Sequence, residues 1–300
     1  MRLSILASLV LAAGIIPAAT LSAQEMIDYS WNGYEARIPA DPQRVFVMDS
    51  RTGLEFAILA GYPIVATDFD ADSHLELELD PETETLEFRA EPNAELVLSY
   101  DPDLLVVGRG WWNFWQNNEA FRADNFNVLV VEDANNSDWK DLMVGQLEAI
   151  GRADRAAEAL ADYDAAVAAA QPVIAELLGD TPVAVADIWA GGNYVLHADT
   201  FDATVARDIG LTLVASDAPV DDGYQEHSAE NLDAFQDAAM IVLWNGDDMA
   251  TENPLWQRLP AVQAGKVYEL HTANSWGFAL AATDFVEDLV TYARDATRAE

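Results

Sequence analysis

The chain contains no cysteine. That absence excludes a disulfide framework, a thiolate-held metal and a cysteine nucleophile together, and it leaves no thiol to which a lipid could be attached. Basic residues are scarce: 15 Lys and Arg stand against 52 Asp and Glu, a formal charge of −37 over 300 residues. Such a surface repels nucleic acid and anionic lipid, so neither is expected as a partner. The acids run along the whole length, which reads as solubility in salt, where screening removes their mutual repulsion. The four histidines (His74, His197, His227 and His271) are too scattered to pair at metal-ligand spacing. Also missing are a G-x-S-x-G elbow, a P-loop and an H-E-x-x-H motif. Asp68 and Asp217 could imitate a carboxylate pair, but no nucleophile or metal motif accompanies them, so no enzyme activity is expected.

Long apolar runs are confined to the N-terminus. Arg2, the apolar stretch Leu3 to Leu11 and the small residues around Leu21-Ser22-Ala23 have the order of a secretory signal. Residues 1–23 are therefore set aside, and a mature chain starting near Gln24 is expected in the periplasm without a lipid anchor.

What remains is organised around a repeat. Gly61-Tyr62-Pro63-Ile64-Val65-Ala66-Thr67-Asp68 and Gly210-Leu211-Thr212-Leu213-Val214-Ala215-Ser216-Asp217 share a glycine, a β-type apolar triplet, a small hydroxyl residue and an aspartate. Each follows an amphipathic helical pattern, and glycine just past a helix end is the usual left-handed cap. A second matched piece follows each copy. Eleven positions separate Glu95 from Val106 in the strand Leu104–Val107, and eleven separate Glu230 from Ile241 in the strand Met240–Leu243. Two related α/β lobes are the consequence. The first copy carries extra chain at 70–91, acidic and alternating, which reads as a surface hairpin or loop.

Between the copies, Leu160, Tyr163, Val167, Ala170, Ile174 and Leu177 recur at helical spacing for one buried stripe. A helix from about Ala153 to Leu178 would be about 40 Å long, enough to join two lobes, with Pro172 expected to kink it. The fold class is thus α/β: two related Rossmann-like lobes joined by one long α-helix, with a ligand cleft between them. The division is 24–150 for the N-terminal lobe, 151–178 for the linker helix and 179–300 for the C-terminal lobe.

In open α/β sheets ligands gather at the carboxyl ends of the strands. The loops there are rich in aromatics: Gly108-Arg109-Gly110-Trp111-Trp112-Asn113-Phe114-Trp115 after one strand, Trp189 to Tyr194 after another, Trp244 after a third, and Trp276 before the last helix. Rings bring apolar area at little entropic cost. Arg51 and Arg109 stand out among so few cations and would balance anionic groups.

These residues resemble the periplasmic binding proteins of iron–siderophore, haem and cobalamin ABC importers. The resemblance rests on Pro42-Gln43-Arg44-Val45, on Asn93-Ala94-Glu95 through Asp101-Pro102-Asp103-Leu104-Leu105-Val106, and on Gly151-Arg152-Ala153-Asp154-Arg155-Ala156. It continues in Ser228-Ala229-Glu230, Leu255-Trp256-Gln257-Arg258-Leu259-Pro260-Ala261-Val262 and Gly265-Lys266-Val267-Tyr268. It implies a monomeric receptor that binds a ferric siderophore or similar iron chelate. Arg51, Arg109, Trp111, Trp112, Trp189, Tyr194, Trp244 and Trp276 would be in the ligand site, and Glu95 and Glu230 would dock on arginines of the inner-membrane permease. No intrinsic cofactor is implied; iron arrives only inside the chelate. Cobalamin, haem or a directly coordinated metal ion are the alternative cargoes, and a periplasmic hydrolase is the remaining alternative. One departure is Arg89-Ala90-Glu91-Pro92, where the family has a glycine pair before the first glutamate.

Overall fold

The structure, a computed structural model, describes residues 24–69, 74–87, 93–117, 125–189, 192–244, 248–270 and 276–298. The expected signal segment lies outside them, as do 88–92 and parts of three expected ligand loops (190–191, 245–247 and 271–275). A hairpin opens the described chain. Strands β1 (Met26–Trp31) and β2 (Tyr34–Pro39) pair antiparallel across Asn32-Gly33, both with positive φ, the turn that matches strand twist.

The first lobe is an all-parallel sheet in the order β5-β4-β3-β6-β7, formed by β3 (Val45–Met48), β4 (Ile64–Phe69), β5 (Glu84–Glu87), β6 (Leu104–Gly108) and β7 (Val128–Val131). Its helices are α1 (Thr52–Leu59), α2 (Ala94–Ser99), α3 (Arg109–Trp115) and α4 (Trp139–Ala149). Strands β3, β6 and β7 are buried throughout, as continuous apolar runs in a doubly covered parallel sheet require. Helix α5 (Ala153–Leu177) then crosses to the second lobe. There β8 (Ala184–Trp189), β9 (Asn193–His197), β10 (Tyr224–His227), β11 (Ile241–Trp244) and β12 (Val267–Glu269) form a sheet in the order β10-β9-β8-β11-β12. The helices here are α6 (Phe201–Asp208), α7 (Asp248–Thr251), α8 (Pro260–Gln263) and α9 (Ala279–Ala296).

The repeat is visible bond by bond. Gly61 N–H donates to Ile58 and Tyr62 N–H to Ala57; Gly210 N–H donates to Arg207 and Leu211 N–H to Ala206. Both glycines have the positive φ that such caps need, 70° and 89°. Val45 N–H then reaches Pro63 O at 3.0 Å, and Val183 N–H reaches the equivalent Thr212 O at 2.8 Å. The copies diverge beyond that point. In lobe one the apolar triplet becomes β4, whereas in lobe two Leu213 makes a single bridge to Val183 and β9 takes the place beside β8, running antiparallel. The Gly192 turn, with φ of 82°, lets the chain fold back at once after Trp189, so this edge fills before α6 begins.

Three expectations are corrected. The described part of 70–91 is more than a surface loop: β5 adds an edge strand parallel to β4, and Leu75 is buried in the core while Leu77 is exposed. Residues 109–115 form helix α3 instead of a loop, with Gly110 N–H held by Asp133 Oδ2 at 2.8 Å at its start. Helix α1 is buried nearly all round rather than on one face, because it lies inside the core that also includes α5 and α9. In α5 the predicted stripe holds: Tyr163, Ala170 and Ile174 are buried, and Leu160, Val167 and Leu177 pack beside them. Pro172 lies within the helix without ending it.

One hydrophobic cluster runs from lobe one through α5 into lobe two. At its centre is a carboxylate. Glu55, on α1 and fully buried, accepts from Phe278 N (2.6 Å), Leu280 N (2.6 Å) and Ala281 N (3.3 Å), the open N–H groups at the start of α9. Gly277 permits this approach, since a Cβ there would lie 2.7 Å from Glu55 Oε2. Further ties cross nearby: Gly277 N–H to Ala134 O, Phe201 N–H to Asn135 O, and Lys140 Nζ to Asp208 at 2.7 Å.

Removing the Glu55 carboxylate strands three buried donors, a loss of about 3 kcal/mol. Glu55→Ala is expected to lower Tm by roughly 6–12 °C, with Glu55→Gln between it and the parent. A Tm within 2 °C of the parent in a calorimetric scan would show that this contact does not hold the lobes.

Candidate functional site

The carboxyl ends of the lobe-one strands are acidic and crowded. Asp49 follows β3, Asp68 lies in β4, and Glu132-Asp133 follow β7. Asp49 is buried and accepts from Gly53 N at 2.7 Å and Arg51 N at 3.2 Å, which fixes the turn into α1. Gly108 separates two of these acids: a Cβ there would collide with Asp49 Oδ2 and sit 3.2 Å from Asp133 Oδ1. Burial, then the Asp49 charge, pushes Asp133 up to about 6, against the Gly110 N–H and Arg51, which pull it down. The same two causes push Asp68 up to about 8, and its Oδ1 has no hydrogen-bond partner among the described residues. Burial also raises Glu55 to about 7 in spite of its three donors.

Arg51 stands over this floor. Its guanidinium carbon lies 4.1 Å from the centroid of the Trp276 ring, so a cation from lobe one rests on an indole contributed by the far end of the chain. Trp276 is half-buried and its Nε1 has no partner among the described residues.

In lobe two, β8 delivers Asp187 and Trp189 on one face, and the Trp189 indole donates to Asp187 Oδ2 at 2.7 Å. Trp244, at the end of β11, stands in register with Asp187, and its buried Nε1 has no partner among the described residues. Beside them, His197 Nδ1 and Asp202 Oδ2 are 2.6 Å apart and both side chains are buried. No group of three or more His, Asp or Glu among the described residues is arranged to hold a metal ion.

Two α/β lobes are thus joined by one crossing helix, with Trp189 and Trp244 at strand ends of lobe two and Arg51 of lobe one resting on Trp276. A family model described as periplasmic binding protein matches residues 62–273. The chain belongs to this family. Among relatives of this periplasmic binding protein, the iron-uptake system-binding protein of Bacillus subtilis is 22% identical over 263 residues, covering 84% of this chain and 81% of the relative. The siderophore-binding protein FhuD of Vibrio cholerae, solved with Fe3+–Desferal, superposes with a TM-score of 0.66 at 18% identity, over 85% of this chain and 99% of that one. Unliganded FhuD2 of Staphylococcus aureus gives 0.67 at 16% identity, over 86% and 100%. These structural likenesses establish the shared fold.

Within that frame the predicted site residues separate. Arg51, Trp189, Trp244 and Trp276 lie at the strand ends described above. Trp111 and Trp112 are half-buried on α3; Trp111 stacks on Trp115 (5.4 Å, 17°) and Trp112 meets Tyr34 edge-on (5.8 Å, 77°). Phe114, on the same helix, is 79% exposed. Two residues need correction. Tyr194 is fully buried, its ring stacked on Trp256 and its hydroxyl bonded to Ala250 O, because its β9 position faces the outer core of lobe two. Arg109 is already engaged: its side chain and that of Glu132, each 18% exposed, pair at 3.1 Å, with Tyr34 and Trp31 O alongside. Its charge is spent on tying α3 to β7 and the β1–β2 hairpin.

Sequence reasoning missed Asp49, Asp133, Asp187, His197 and Asp202. The available signal was an acid breaking or ending an apolar strand, as in Val183-Ala184-Val185-Ala186-Asp187, which is costly unless a partner or proton compensates.

Glu55, Asp68 and Asp133 all titrate higher folded than unfolded, so the folded state holds more protons between about pH 4 and 8. Stability therefore falls as pH rises through that window. Asp68→Asn is expected to raise Tm at pH 8 by about 2–4 °C and to flatten the pH slope. The exposed control Glu176→Gln should leave the slope intact; equal slopes for the parent and Asp68→Asn would remove Asp68 from this account.

Proposed function

We propose that the chain is the substrate-binding component of an ABC importer, capturing a ferric siderophore or similar iron chelate between its lobes and delivering it to an inner-membrane permease. The observation that carries this reading is the Arg51–Trp276 pair, set among half-buried indoles at the facing strand ends of a periplasmic binding protein. Iron chelates are broad and often anionic, which suits flat π faces with a cation between them. The names of its relatives point the same way: an iron-uptake system-binding protein, a probable siderophore-binding lipoprotein and a receptor holding Fe3+–Desferal. In this reading Arg51, Trp111, Trp112, Trp189, Trp244 and Trp276 meet the chelate, with Phe114 as a further rim contact. Iron is cargo, no covalent chemistry takes place, and the receptor acts as a monomer exported to the periplasm by residues 1–23 without a lipid anchor.

Delivery needs a second surface. Glu95 sits exposed in the first turn of α2, whose N-cap Asn93 accepts from Glu95 N and Leu96 N. Leu96 and Leu98 beside it are 38% and 52% exposed. At the other tip Glu230 is exposed in a turn; the neighbouring Ala229 O is held by Asn253, and Leu255 nearby is 36% exposed. Each tip thus offers a carboxylate flanked by leucine, suited to an arginine on the permease with an apolar rim around it.

The anionic chelate Fe3+–citrate is expected to quench tryptophan fluorescence saturably, without being altered, and Arg51→Ala to weaken that titration at least tenfold. An unchanged curve for Arg51→Ala would remove it from charge recognition. The paired change Glu95→Ala and Glu230→Ala should leave chelate affinity within about twofold while lowering uptake in proteoliposomes carrying the permease; full uptake would place docking elsewhere.

A further inference from the structure

Arg51 and Trp276 lie far apart in the sequence, yet one short path of bonds leads to both. Arg51 is the N-cap of α1, and its carbonyl accepts from Glu55 N at 2.9 Å, one turn on. Its own N–H goes to Asp49 Oδ1 at 3.2 Å. Trp276 stands two residues before Phe278, whose N–H donates to Glu55 Oε2 at 2.6 Å. Gly277, between them, donates to Ala134 O at 3.0 Å, in the turn that follows β7. Leu280 N and Ala281 N donate to Glu55 Oε1, and the Phe278 ring lies against Phe56 of α1 with centroids 6.4 Å apart. These four donors belong to the C-terminal part of the chain, and all of them end on lobe one.

No hydrogen bond of its own aims the Trp276 ring among the described residues, because its Nε1 has no partner there. The ring is oriented by its backbone and by the cation on its face. That backbone is closely fitted: a Cβ on Gly277 would collide with Ala281 Cβ and lie 2.7 Å from Glu55 Oε2. Glu55 therefore carries Arg51 on its own helix and Trp276 on the segment bonded to its side chain. Both of its oxygens are used, one for Phe278 and one for Leu280 and Ala281. Losing either changes the spacing of cation and ring.

We propose that Glu55 is a positioning residue for the ligand site: it seats Trp276 on lobe one and presets the Arg51–Trp276 pair as one unit. Trp276 then belongs to the lobe-one side of the site, although the sequence places it in the C-terminal lobe. A cation and a ring already set in place lose less side-chain freedom when an anionic chelate arrives, so affinity rises without any added contact. The inference rests on the reading of Arg51 and Trp276 as ligand contacts, but the seating of the ring can be tested with no ligand present.

The test is run at pH 8, above the Glu55 pKa of about 7. The Arg51 δ-methylene protons, assigned with Arg51→Lys, should lie upfield in the ligand-free parent, because the guanidinium rests on an indole face; Trp276→Ala should return them to the ordinary arginine position. Glu55→Gln keeps one acceptor and sets an NH2 against the remaining donors, so the protons should move most of the way to that position. Gly277→Ala should do the same, and serves if Glu55→Gln does not fold. Lys140→Met, which removes the Lys140–Asp208 tie between the lobes, should leave them upfield even where Tm falls. In parallel, Glu55→Gln alone should weaken Fe3+–citrate binding about fivefold or more, and by less than about twofold when added to Trp276→Ala. Protons at the ordinary position in the parent, or upfield in both Glu55→Gln and Gly277→Ala, overturn the seating of the ring whatever the protein binds. A loss of affinity that persists undiminished in Trp276→Ala, or that Lys140→Met matches, overturns the positioning role, since Glu55 would then act through general stability. If the protons behave as stated while neither Arg51→Ala nor Trp276→Ala changes Fe3+–citrate binding, the seating stands and the ligand half falls with the reading on which it rests.

Discussion

The Glu55 carboxylate at the open end of α9 is the contact on which the rest of the molecule depends. It belongs to the first helix of lobe one, yet its three donors come from the final helix of the chain, more than two hundred residues on. A helix N-terminus concentrates unsatisfied N–H groups and a partial positive charge, so one buried carboxylate answers several needs at once. The cost is desolvation of that carboxylate, visible in its raised pKa. Removing either side leaves the other buried without a partner, so the two lobes keep a fixed relation in spite of the polar character of the contact.

The rigidity that results has a functional meaning. Helix α5, helix α9 and helix α1 belong to one continuous apolar cluster, so wide separation of the lobes would have to tear a core open as well as break the Glu55 bonds. A receptor of this kind accommodates its cargo by small adjustments at the strand ends. The groups placed there are suited to such adjustment: indoles anchored at one edge, an arginine resting on a ring and acids close to their titration range.

Repetition explains both the likeness of the lobes and their difference. Gly61 and Gly210 end their helices with the same pair of backbone bonds, and the segments that follow dock to Val45 and Val183 through the same carbonyl position. This much was legible because left-handed caps favour glycine, and a matched pair of glycines each leading into an apolar triplet, with glutamates eleven positions before matched strand residues, is hard to produce otherwise. The divergence was not legible. Whether an apolar triplet becomes a strand depends on which segment pairs with the sheet edge, and beside β8 that segment is β9.

The site shows the same division at the level of side chains. Residue type and strand-end position marked Arg51, Trp189, Trp244 and Trp276 without a structure, since ligands of open α/β sheets meet that end of the strands. Position alone could not separate Arg51 from Arg109, both at strand ends, because the difference lies in a carboxylate that β7 brings to one of them. Nor could it tell that Tyr194 turns into the core. The amino-acid order by itself determined the long crossing helix, the glycine-capped helix ends, the central strands, the doubled architecture and the family, because period, caps and turns are local properties of the chain. Which carboxylate meets which N–H, cation or ring was decided only by the tertiary structure, because those partners are remote in sequence and become neighbours only when the sheets and crossing helices are packed.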